Sequence, residues 1–203
     1  MKLPIDIDTV KGFLDPAEGR ALHDAALVRA PFGPCLEVGA YCGKSAVYLG
    51  VACQAAGGTL FSVDHHRGSE ENQPGWDYHD AELWDAEAGA IDTLPHLRRT
   101  LRRAGLEGVV APIVGPSAVI ARAWATPLSL LFIDGGHTME AALADYRGWT
   151  PHLMAGGILA IHDVFPDPAD GGRPPFEIYR RALASDLYAE APPVMSLRLL
   201  RRL

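Results

Sequence analysis

The stretch at residues 36–45, LEVGAYCGKS, joins a short apolar run to a helical segment and ends in Gly-Lys-Ser. Loops that bind nucleoside triphosphates share this ending, but they place four residues between their two glycines. Here three residues separate Gly39 from Gly43, and Glu37 adds a carboxylate two residues before the first glycine. We predict a strand, a glycine loop and a helix from about Lys44, an arrangement that faces the ligand crevice of an open α/β sheet.

Outward from this loop, short apolar runs alternate with helical segments. Continuous apolar runs are typical of strands buried on both faces of a parallel sheet, and the alternation predicts a doubly wound, Rossmann-like α/β fold. At the end of the chain, two extended segments follow each other too closely to pair in any way but antiparallel. The predicted strands are residues 35–38, 60–63, 109–114, 128–133, 158–161, 188–191 and 195–202, and the predicted helices are 44–55, 91–104, 117–123, 139–153 and 175–184.

We predict a single domain over residues 1–203, with two additions to the sheet. Residues 1–33 form an N-terminal helical cap, whose helix starts at Asp15-Pro16 because an acid followed by proline is a good helix start. Residues 65–89 have no clean hydrophobic period and follow the second strand on the ligand side of the sheet. We predict that they form a lid, because large aromatic side chains such as Trp76, Tyr78 and Trp84 are unsuited to a solvent-exposed linker.

Composition excludes several classes of protein. The chain has a formal net charge of −7, with 48% hydrophobic and 21% charged residues, which is an ordinary globular composition. We expect no nucleic-acid partner, because the one basic cluster is short: Arg98, Arg99, Arg102 and Arg103. Three cysteines without paired spacing disfavour a disulfide framework. No window approaches about 18 apolar residues, so we expect no membrane association and a cytoplasmic location.

Three ligands compete for the glycine loop. A triphosphate requires a longer loop and would be repelled by Glu37. A dinucleotide requires glycines spaced G-x-G-x-x-G, and Tyr41 would crowd its pyrophosphate. S-adenosylmethionine has no phosphate, and its ammonium and sulfonium are cations, so Glu37 can attract the cationic portion or orient the loop that does so.

Two further polar positions follow the next strands. Asp64 ends the second strand, 25 residues after Gly39, where an acid can accept hydrogen bonds from both ribose hydroxyls. Ser117 follows the third strand, where it can cap the next helix and also meet an adenine edge.

Two sequence blocks, in this order, resemble class I S-adenosylmethionine-dependent methyltransferases. They are LEVGAYCGKS at 36–45 and LLFIDGGHTMEAALADYRGWTPHLMAGGILAIHDVF at 130–165. The likeness is strongest to small bacterial macrolide, sugar and cephamycin-pathway O-methyltransferases and covers roughly residues 34–165. It implies a mostly parallel sheet of order 3-2-1-4-5-7-6, with a terminal antiparallel hairpin. It also implies cofactor contacts from Glu37, Gly39, Tyr41, Gly43 and Ser45 around the methionine part, Asp64 at the ribose, and His65 and Ser117 near the adenine.

Polar residues also end the fourth and fifth predicted strands. Because neighbouring parallel strands lie about 4.8 Å apart, Asp134, His162 and Asp163 should converge in the crevice. Relatives use acids at such positions to bind Mg²⁺, which lowers the pKa of a substrate hydroxyl. His162 departs from that pattern and suits Mn²⁺, Fe²⁺ or Zn²⁺ better. The alternative is that no metal binds and Asp134 contacts the cofactor by hydrogen bonds.

His137 lies three residues after Asp134, in a turn that opens a helix over the same crevice. Histidine titrates near neutral pH, so we predict that His137 is the catalytic base that takes a hydroxyl proton, together with Asp134. The alternative is that His137 only fixes the turn.

These predictions together describe an S-adenosylmethionine-dependent O-methyltransferase, with or without a divalent metal. Its acceptor would be a small-molecule hydroxyl, on a sugar or another natural product, and the enzyme could form a homodimer. Two rival hypotheses are a non-catalytic S-adenosylmethionine-binding protein and an NAD-type oxidoreductase. The polar residues at the strand ends favour catalysis over binding alone, and the absence of G-x-G-x-x-G disfavours the oxidoreductase.

Overall fold

The computed structural model describes residues 1–76, 78–167, 169–170 and 172–203. Asp77, which belongs to the predicted lid, lies outside the described residues. The helices are α1 Pro16–Arg29, α2 Lys44–Ala56, α3 Leu94–Ala104, α4 Ser117–Ala123, α5 Met139–Trp149 and α6 Pro174–Ala184. The strands are β1 Cys35–Val38, β2 Leu60–Asp64, β3 Trp84–Asp85, β4 Ala90–Ile91, β5 Val110–Val114, β6 Leu128–Ile133, β7 Leu153–Ile161, β8 Tyr188–Glu190 and β9 Arg198–Arg202.

Seven of these strands form one sheet in the order β5-β2-β1-β6-β7-β9-β8. The first five are parallel to one another, and β9 pairs antiparallel with both β7 and β8. The remaining two, β3 and β4, form a separate antiparallel ribbon. The predicted Rossmann-like fold is therefore confirmed, and the strand order matches 3-2-1-4-5-7-6 once the small ribbon is left out of the numbering.

Helices cover both faces of the sheet, and the central strand β6 shows how the sequence achieves this. All six of its residues are buried. Leu130 and Phe132 pack on the face covered by α1, α2 and α3, whereas Leu131 and Ile133 pack on the face covered by α4, α5 and α6. A strand that is apolar at every position can satisfy both layers only from the interior of a parallel sheet.

The N-terminal helix starts where the sequence predicts. The Asp15 carboxylate accepts a hydrogen bond from the Ala17 amide at 2.7 Å, and the Glu18 carboxylate returns to the Asp15 amide at 3.3 Å. This reciprocal cap satisfies amides that the first helical turn leaves unpaired. Helix α1 then packs closely on α2, because Gly19 presents no side chain and a Cβ there would lie 2.4 Å from the Tyr48 ring.

Several predicted boundaries are wrong. The helix predicted at 139–153 ends at Trp149, and β7 begins at Leu153 rather than at residue 158. Pro151 contributes to this difference, because it lacks the amide hydrogen that would continue the α-helical hydrogen bonds, and Thr150–His152 form a 3₁₀ turn instead. The helix predicted from residue 91 begins at Leu94, because Ile91 is buried in the β3–β4 ribbon.

The 65–89 segment contains two short 3₁₀ turns, Glu70–Asn72 and Ala81–Leu83, followed by β3, the first strand of the ribbon. Within the described parts of the chain, no helix is both long and apolar enough to cross a membrane.

Candidate active site

One cavity of about 610 Å³ opens at the carboxyl ends of the parallel strands. The loops after β1, β2, β5, β6 and β7 line it, and residues 11–14 and part of the 65–89 segment close its sides. Most of the predicted site residues meet in this cavity: Gly39, Tyr41, Ser45, Asp64, His65, Ser117, Asp134, His137, His162 and Asp163. Glu37 and Gly43 lie behind its wall instead.

The two glycines of the 36–45 loop are needed for different close approaches. Gly39 has φ 92°, and a Cβ there would lie 2.0 Å from the backbone carbonyl oxygen of Asp134, so only glycine lets the ends of β1 and β6 pack. Gly43 has φ 94° and faces α3, where a Cβ would lie 2.8 Å from a methyl group of Leu97. Gly43 thus shapes the loop from behind the cavity.

Glu37 is fully buried beneath the loop. Its two carboxylate oxygens accept hydrogen bonds from the hydroxyls of Ser62, at 2.6 Å, and Ser45, at 2.7 Å. Burial raises the pKa of Glu37 to about 7, although both hydroxyls oppose that rise. Ser45 donates to Glu37 and also lines the cavity, so this position suits the second of the two predicted roles, orientation of the loop, which stays a prediction.

Asp64 ties the loop to the end of β2. One carboxylate oxygen accepts hydrogen bonds from the amides of Ala40 and Tyr41, both at 2.9 Å, and the other accepts from the His66 amide at 2.7 Å. A carboxylate offers about four acceptor positions, so three amides leave room for a ligand hydroxyl. Contact with a ribose stays a prediction.

The predicted cofactor residues on the opposite wall have partners within the protein. His65 is exposed, and its Nδ1 accepts a hydrogen bond from the Arg67 amide at 3.0 Å. The prediction that Ser117 caps α4 is wrong, because Ser117 is the first residue of that helix and Pro116 occupies the cap position. The Ser117 hydroxyl instead accepts a hydrogen bond from the indole of Trp149 at 2.7 Å.

Asp145 lies beside Ser117 and was missed by the sequence analysis. It lines the cavity but is itself buried, and burial raises its pKa to about 6 against a hydrogen bond from Ser117. The signal was an acid on α5 that shares the helix face of Ala142 and Trp149, both buried. A carboxylate at a core position is unusual enough to indicate a site.

His162 is held at both ring nitrogens by acids. Its Nδ1 lies 3.1 Å from Asp134 Oδ1 and 3.3 Å from Asp163 Oδ2, and its Nε2 lies 2.8 Å from Glu18 Oε2. Burial alone would lower the pKa of His162, but the carboxylates of Asp134, Asp163 and Glu18 outweigh it and raise the pKa well above its usual range. The predicted convergence of the ends of β6 and β7 is therefore present.

Glu18 was also missed, because an acid in the first turn of a helix is common and its partners lie far away in the sequence. The side chain is buried, and its second oxygen accepts hydrogen bonds from the Ser196 amide at 2.8 Å, the Ser196 hydroxyl at 2.7 Å and the Leu197 amide at 3.1 Å. Helix α1 thereby connects the turn before β9 to His162.

The donor set at this point fits a divalent cation. Asp134, His162 and Asp163 each offer one ligand atom, and these atoms lie within 4.8 Å of one another. If Nε2 donates its hydrogen to Glu18, Nδ1 is left as the ligand atom, which is how carboxylates commonly orient metal-binding histidines. One imidazole with two carboxylates suits a first-row transition metal.

His137 lies between two carboxylates in the cavity. Its Nε2 is 3.3 Å from Asp163 Oδ2, and its Nδ1 is 3.3 Å from Glu71 Oε2 in the 65–89 segment. The hydrogen bond with Asp163 raises the pKa of His137 to about 8, against the opposing effect of burial. His137 is therefore mostly protonated at neutral pH and must lose its proton before it can act as a base.

Two lysines line the cavity. Lys11 forms an ion pair with Asp80 and another, at 2.7 Å, with Glu82. The half-buried Lys44 begins α2, and its ammonium donates a hydrogen bond to the Gly12 carbonyl oxygen at 3.1 Å. These contacts connect the N-terminal segment both to the 65–89 segment and to the glycine loop.

Solved structures with a similar architecture include O-methyltransferases. The O-methyltransferase NovP is 16% identical, with 91% of this chain and 77% of NovP covered and a TM-score of 0.67. An O-methyltransferase from Bacillus cereus, bound to S-adenosylhomocysteine, is 14% identical, with 94% and 83% covered and a TM-score of 0.63. TomG from Streptomyces achromogenes, an O-methyltransferase of tomaymycin synthesis bound to S-adenosylmethionine, is 14% identical, with 94% and 81% covered and a TM-score of 0.61.

These identities establish the shared fold, and the family follows from the sequence itself. The profile of the Methyltransf_24 family, described as a methyltransferase domain, matches residues 36–164. That match runs from the glycine loop to the residue after Asp163 and so includes most of the cavity. The chain belongs to this methyltransferase family.

Proposed function

We propose that the protein is an S-adenosylmethionine-dependent O-methyltransferase that acts on a hydroxyl of a small molecule. The observation that carries the proposal is the meeting, in one cavity, of the glycine loop and Asp64 with the His137, Asp134 and Asp163 group. The first set suits a cofactor without phosphates, and the second suits a hydroxyl that must lose a proton. Family membership and the O-methyltransferases of like fold support the same reaction.

The proposed chemistry is a direct displacement. The acceptor oxygen forms a bond to the sulfonium methyl carbon while the carbon–sulfur bond breaks, which leaves a neutral thioether. Neutral His137 takes the hydroxyl proton, and Asp163 and Glu71 stabilise the imidazolium that forms, because both lie 3.3 Å from its nitrogens. Asp134 orients the acceptor oxygen or the cofactor from the end of β6.

Asp134, His162 and Asp163 would hold a divalent cation, which would supply a Lewis acid that lowers the pKa of the acceptor hydroxyl. Without the ion, His162 carries a proton on each nitrogen. Binding should therefore release about one proton from Nδ1, since a metal ligand must be deprotonated. Mn²⁺ titrations in two buffers of different ionisation enthalpy would measure this release, and binding without it would contradict the assignment of His162 as a ligand.

Residues 65–89 are proposed to act as the lid over the acceptor, in a domain that spans residues 1–203. Glu71 of this segment contacts His137, and Asp80 and Glu82 hold Lys11. A segment held at two sides of the cavity can exclude water from the reaction.

The first experiment is a titration of S-adenosylhomocysteine into the protein by calorimetry, with EDTA and then with Mg²⁺ or Mn²⁺. S-adenosylhomocysteine is expected to bind in all three conditions. A higher affinity in the presence of metal would locate the cation beside the cofactor. No binding under any condition would contradict the proposed function. In a coupled assay for S-adenosylhomocysteine release, His137→Ala is expected to lower turnover far more than cofactor affinity, and unchanged turnover would remove His137 from the mechanism.

A further inference from the structure

Three aromatic rings from distant parts of the chain meet at the mouth of the cavity. The Phe13 ring centroid lies 5.9 Å from that of Tyr41 and 5.2 Å from that of Tyr78. Phe13 comes from the segment before α1, Tyr41 from the glycine loop and Tyr78 from the 65–89 segment, and all three line the cavity. We call Phe13, Tyr41 and Tyr78 the aromatic rim.

Burial in the protein core does not explain the aromatic rim. Phe13 is 65% exposed and Tyr78 is 51% exposed, so both rings leave much of their surface open to the cavity and solvent. Isolated exposed aromatic residues are common on proteins, but a group of them at the mouth of a cavity is typical of a binding site.

The backbone segments that carry these rings are held in place by polar contacts. Lys44 donates a hydrogen bond to the Gly12 carbonyl oxygen, next to Phe13, and Lys11 pairs with Glu82 beyond Tyr78. The rings themselves are left free to contact a ligand. Such an arrangement positions a binding surface before the ligand arrives, which reduces the entropic cost of binding.

The aromatic rim is connected to His137 through one short segment. Glu71 contacts His137 at 3.3 Å, and the side-chain amide of Asn72 donates a hydrogen bond to the Tyr78 carbonyl oxygen at 3.3 Å. The segment from Glu71 to Tyr78 therefore begins beside the proposed base and ends at the rim. Because the rim residues and His137 line the same cavity, a molecule seated on the rim would share that cavity with the proposed base.

The charges around the cavity indicate that such a molecule carries no phosphate. Among the described residues that line the cavity, the cationic side chains other than histidine are Lys11, already paired with two acids, and Lys44, which lies at the cofactor loop. The carboxylates are more numerous: Asp64, Glu71, Asp134, Asp145, Asp163 and Asp170. A phosphorylated acceptor would meet more carboxylates than cations in this lining, even with His137 and His162 protonated.

We propose that the methyl acceptor is an uncharged aromatic alcohol, a phenol without phosphate, whose ring packs on Phe13 and Tyr78 while its hydroxyl reaches His137. This inference rests on the proposed function and adds the class of acceptor. Aromatic rings prefer edge-to-face or offset stacking at centroid separations of about 4.5–7 Å, and Phe13 and Tyr78 keep exposed ring surface for such a contact.

The test uses the protein loaded with S-adenosylhomocysteine and two matched probes, 4-ethylphenol and 4-ethylcyclohexanol. They share the hydroxyl and the alkyl group and differ in the aromatic ring, and neither can chelate a metal. Calorimetry should show 4-ethylphenol binding at least about tenfold more tightly, since each aromatic contact contributes up to about tenfold. A third probe, 4-ethylphenyl phosphate, should bind more weakly than the phenol.

Phe13→Ala and Tyr78→Ala should each weaken 4-ethylphenol binding about fivefold to tenfold and leave S-adenosylhomocysteine affinity unchanged. Both side chains are more than half exposed, so neither variant should impair folding. Phe32→Ala is the matched control, because Phe32 is 64% exposed but lies away from the cavity.

Three outcomes would overturn the assignment of a phenol as acceptor while leaving the methyltransferase proposal intact. They are equal affinity for 4-ethylphenol and 4-ethylcyclohexanol, higher affinity for 4-ethylphenyl phosphate than for 4-ethylphenol, and equal effects of Phe13→Ala and Phe32→Ala on phenol binding. Failure of S-adenosylhomocysteine to bind at all would instead overturn the proposed function, and the acceptor assignment with it.

Discussion

Replacing Glu37 by glutamine should remove the contribution of this residue to the pH dependence of the protein's stability. Glu37 is fully buried, and its pKa rises from an ordinary 4.5 to about 7 in the folded protein. Each unit of pKa corresponds to about 1.4 kcal/mol, so ionised Glu37 lowers the free energy of unfolding by about 3 kcal/mol. The glutamine amide can keep both serine hydrogen bonds, by accepting one and donating the other, without a charge.

The direction of the effect follows from which state holds the proton. Below pH 4.5 the carboxyl is protonated in both the folded and the unfolded state, so Glu37 does not make the free energy of unfolding depend on pH. Between pH 4.5 and about 7 the folded protein keeps the proton that the unfolded chain loses, so stability falls as the pH rises. Above about pH 7 both states are ionised, and the loss is complete.

The assay is urea unfolding of the apo protein at intervals from pH 4.5 to 8.5. The Glu37→Gln variant should be more stable than the parent protein at pH 8, and the difference should shrink toward pH 4.5. Glu107→Gln, which changes an exposed carboxylate, should give a curve parallel to the parent. If Glu37→Gln also runs parallel to the parent, burial does not control the ionisation of Glu37.

Three further predictions concern the remainder of the site. Gly39→Ala should lower the free energy of unfolding in urea by more than about 3 kcal/mol, because the new Cβ would clash with a backbone carbonyl. Gly57 has φ 68° and nothing within 4 Å of a Cβ, so Gly57→Ala should lower it by only about 1 kcal/mol. Equal losses would contradict the close approach at Gly39. Methyl transfer should rise with pH and level off above about 8 as His137 loses its proton, and a flat profile from pH 6 to 9 would exclude His137 as the base. Glu18→Gln should lower the free energy of thermal unfolding by about 3 kcal/mol, because it leaves the buried His162 without one of its acidic partners. A loss below about 1 kcal/mol would show that the Glu18–His162 pair contributes little to stability.

Much of the fold could be predicted from local patterns. The continuous apolar run of β6 and the alternation of strands with helices were enough for the parallel sheet, because burial on both faces shows directly in composition. The Asp15-Pro16 helix start was readable for the same reason, since its cap involves residues only a few positions apart. The start of β7 at Leu153 could not be predicted in this way, because the apolar pattern continues through the turn that contains Pro151.

The candidate site was predicted only in part. Strand ends mark the crevice, so Asp64, Asp134 and Asp163 could be found by their positions after apolar runs. Asp145 and Ser117 were missed or misassigned because their hydrogen-bond partners come from other elements. Periodicity indicates which face of a helix is buried, but it does not indicate which side chain lies opposite.

The sequence by itself therefore determined the layered α/β fold, the methyltransferase resemblance and the strand ends at which polar residues gather. Only the tertiary structure decided which of those residues pair. Glu18 and His162 are separated by 144 positions, and Glu71 reaches His137 from a segment without regular pattern. Such pairs form because the packing of whole helices and strands brings distant side chains within hydrogen-bond distance, and no local signal in the chain specifies that distance.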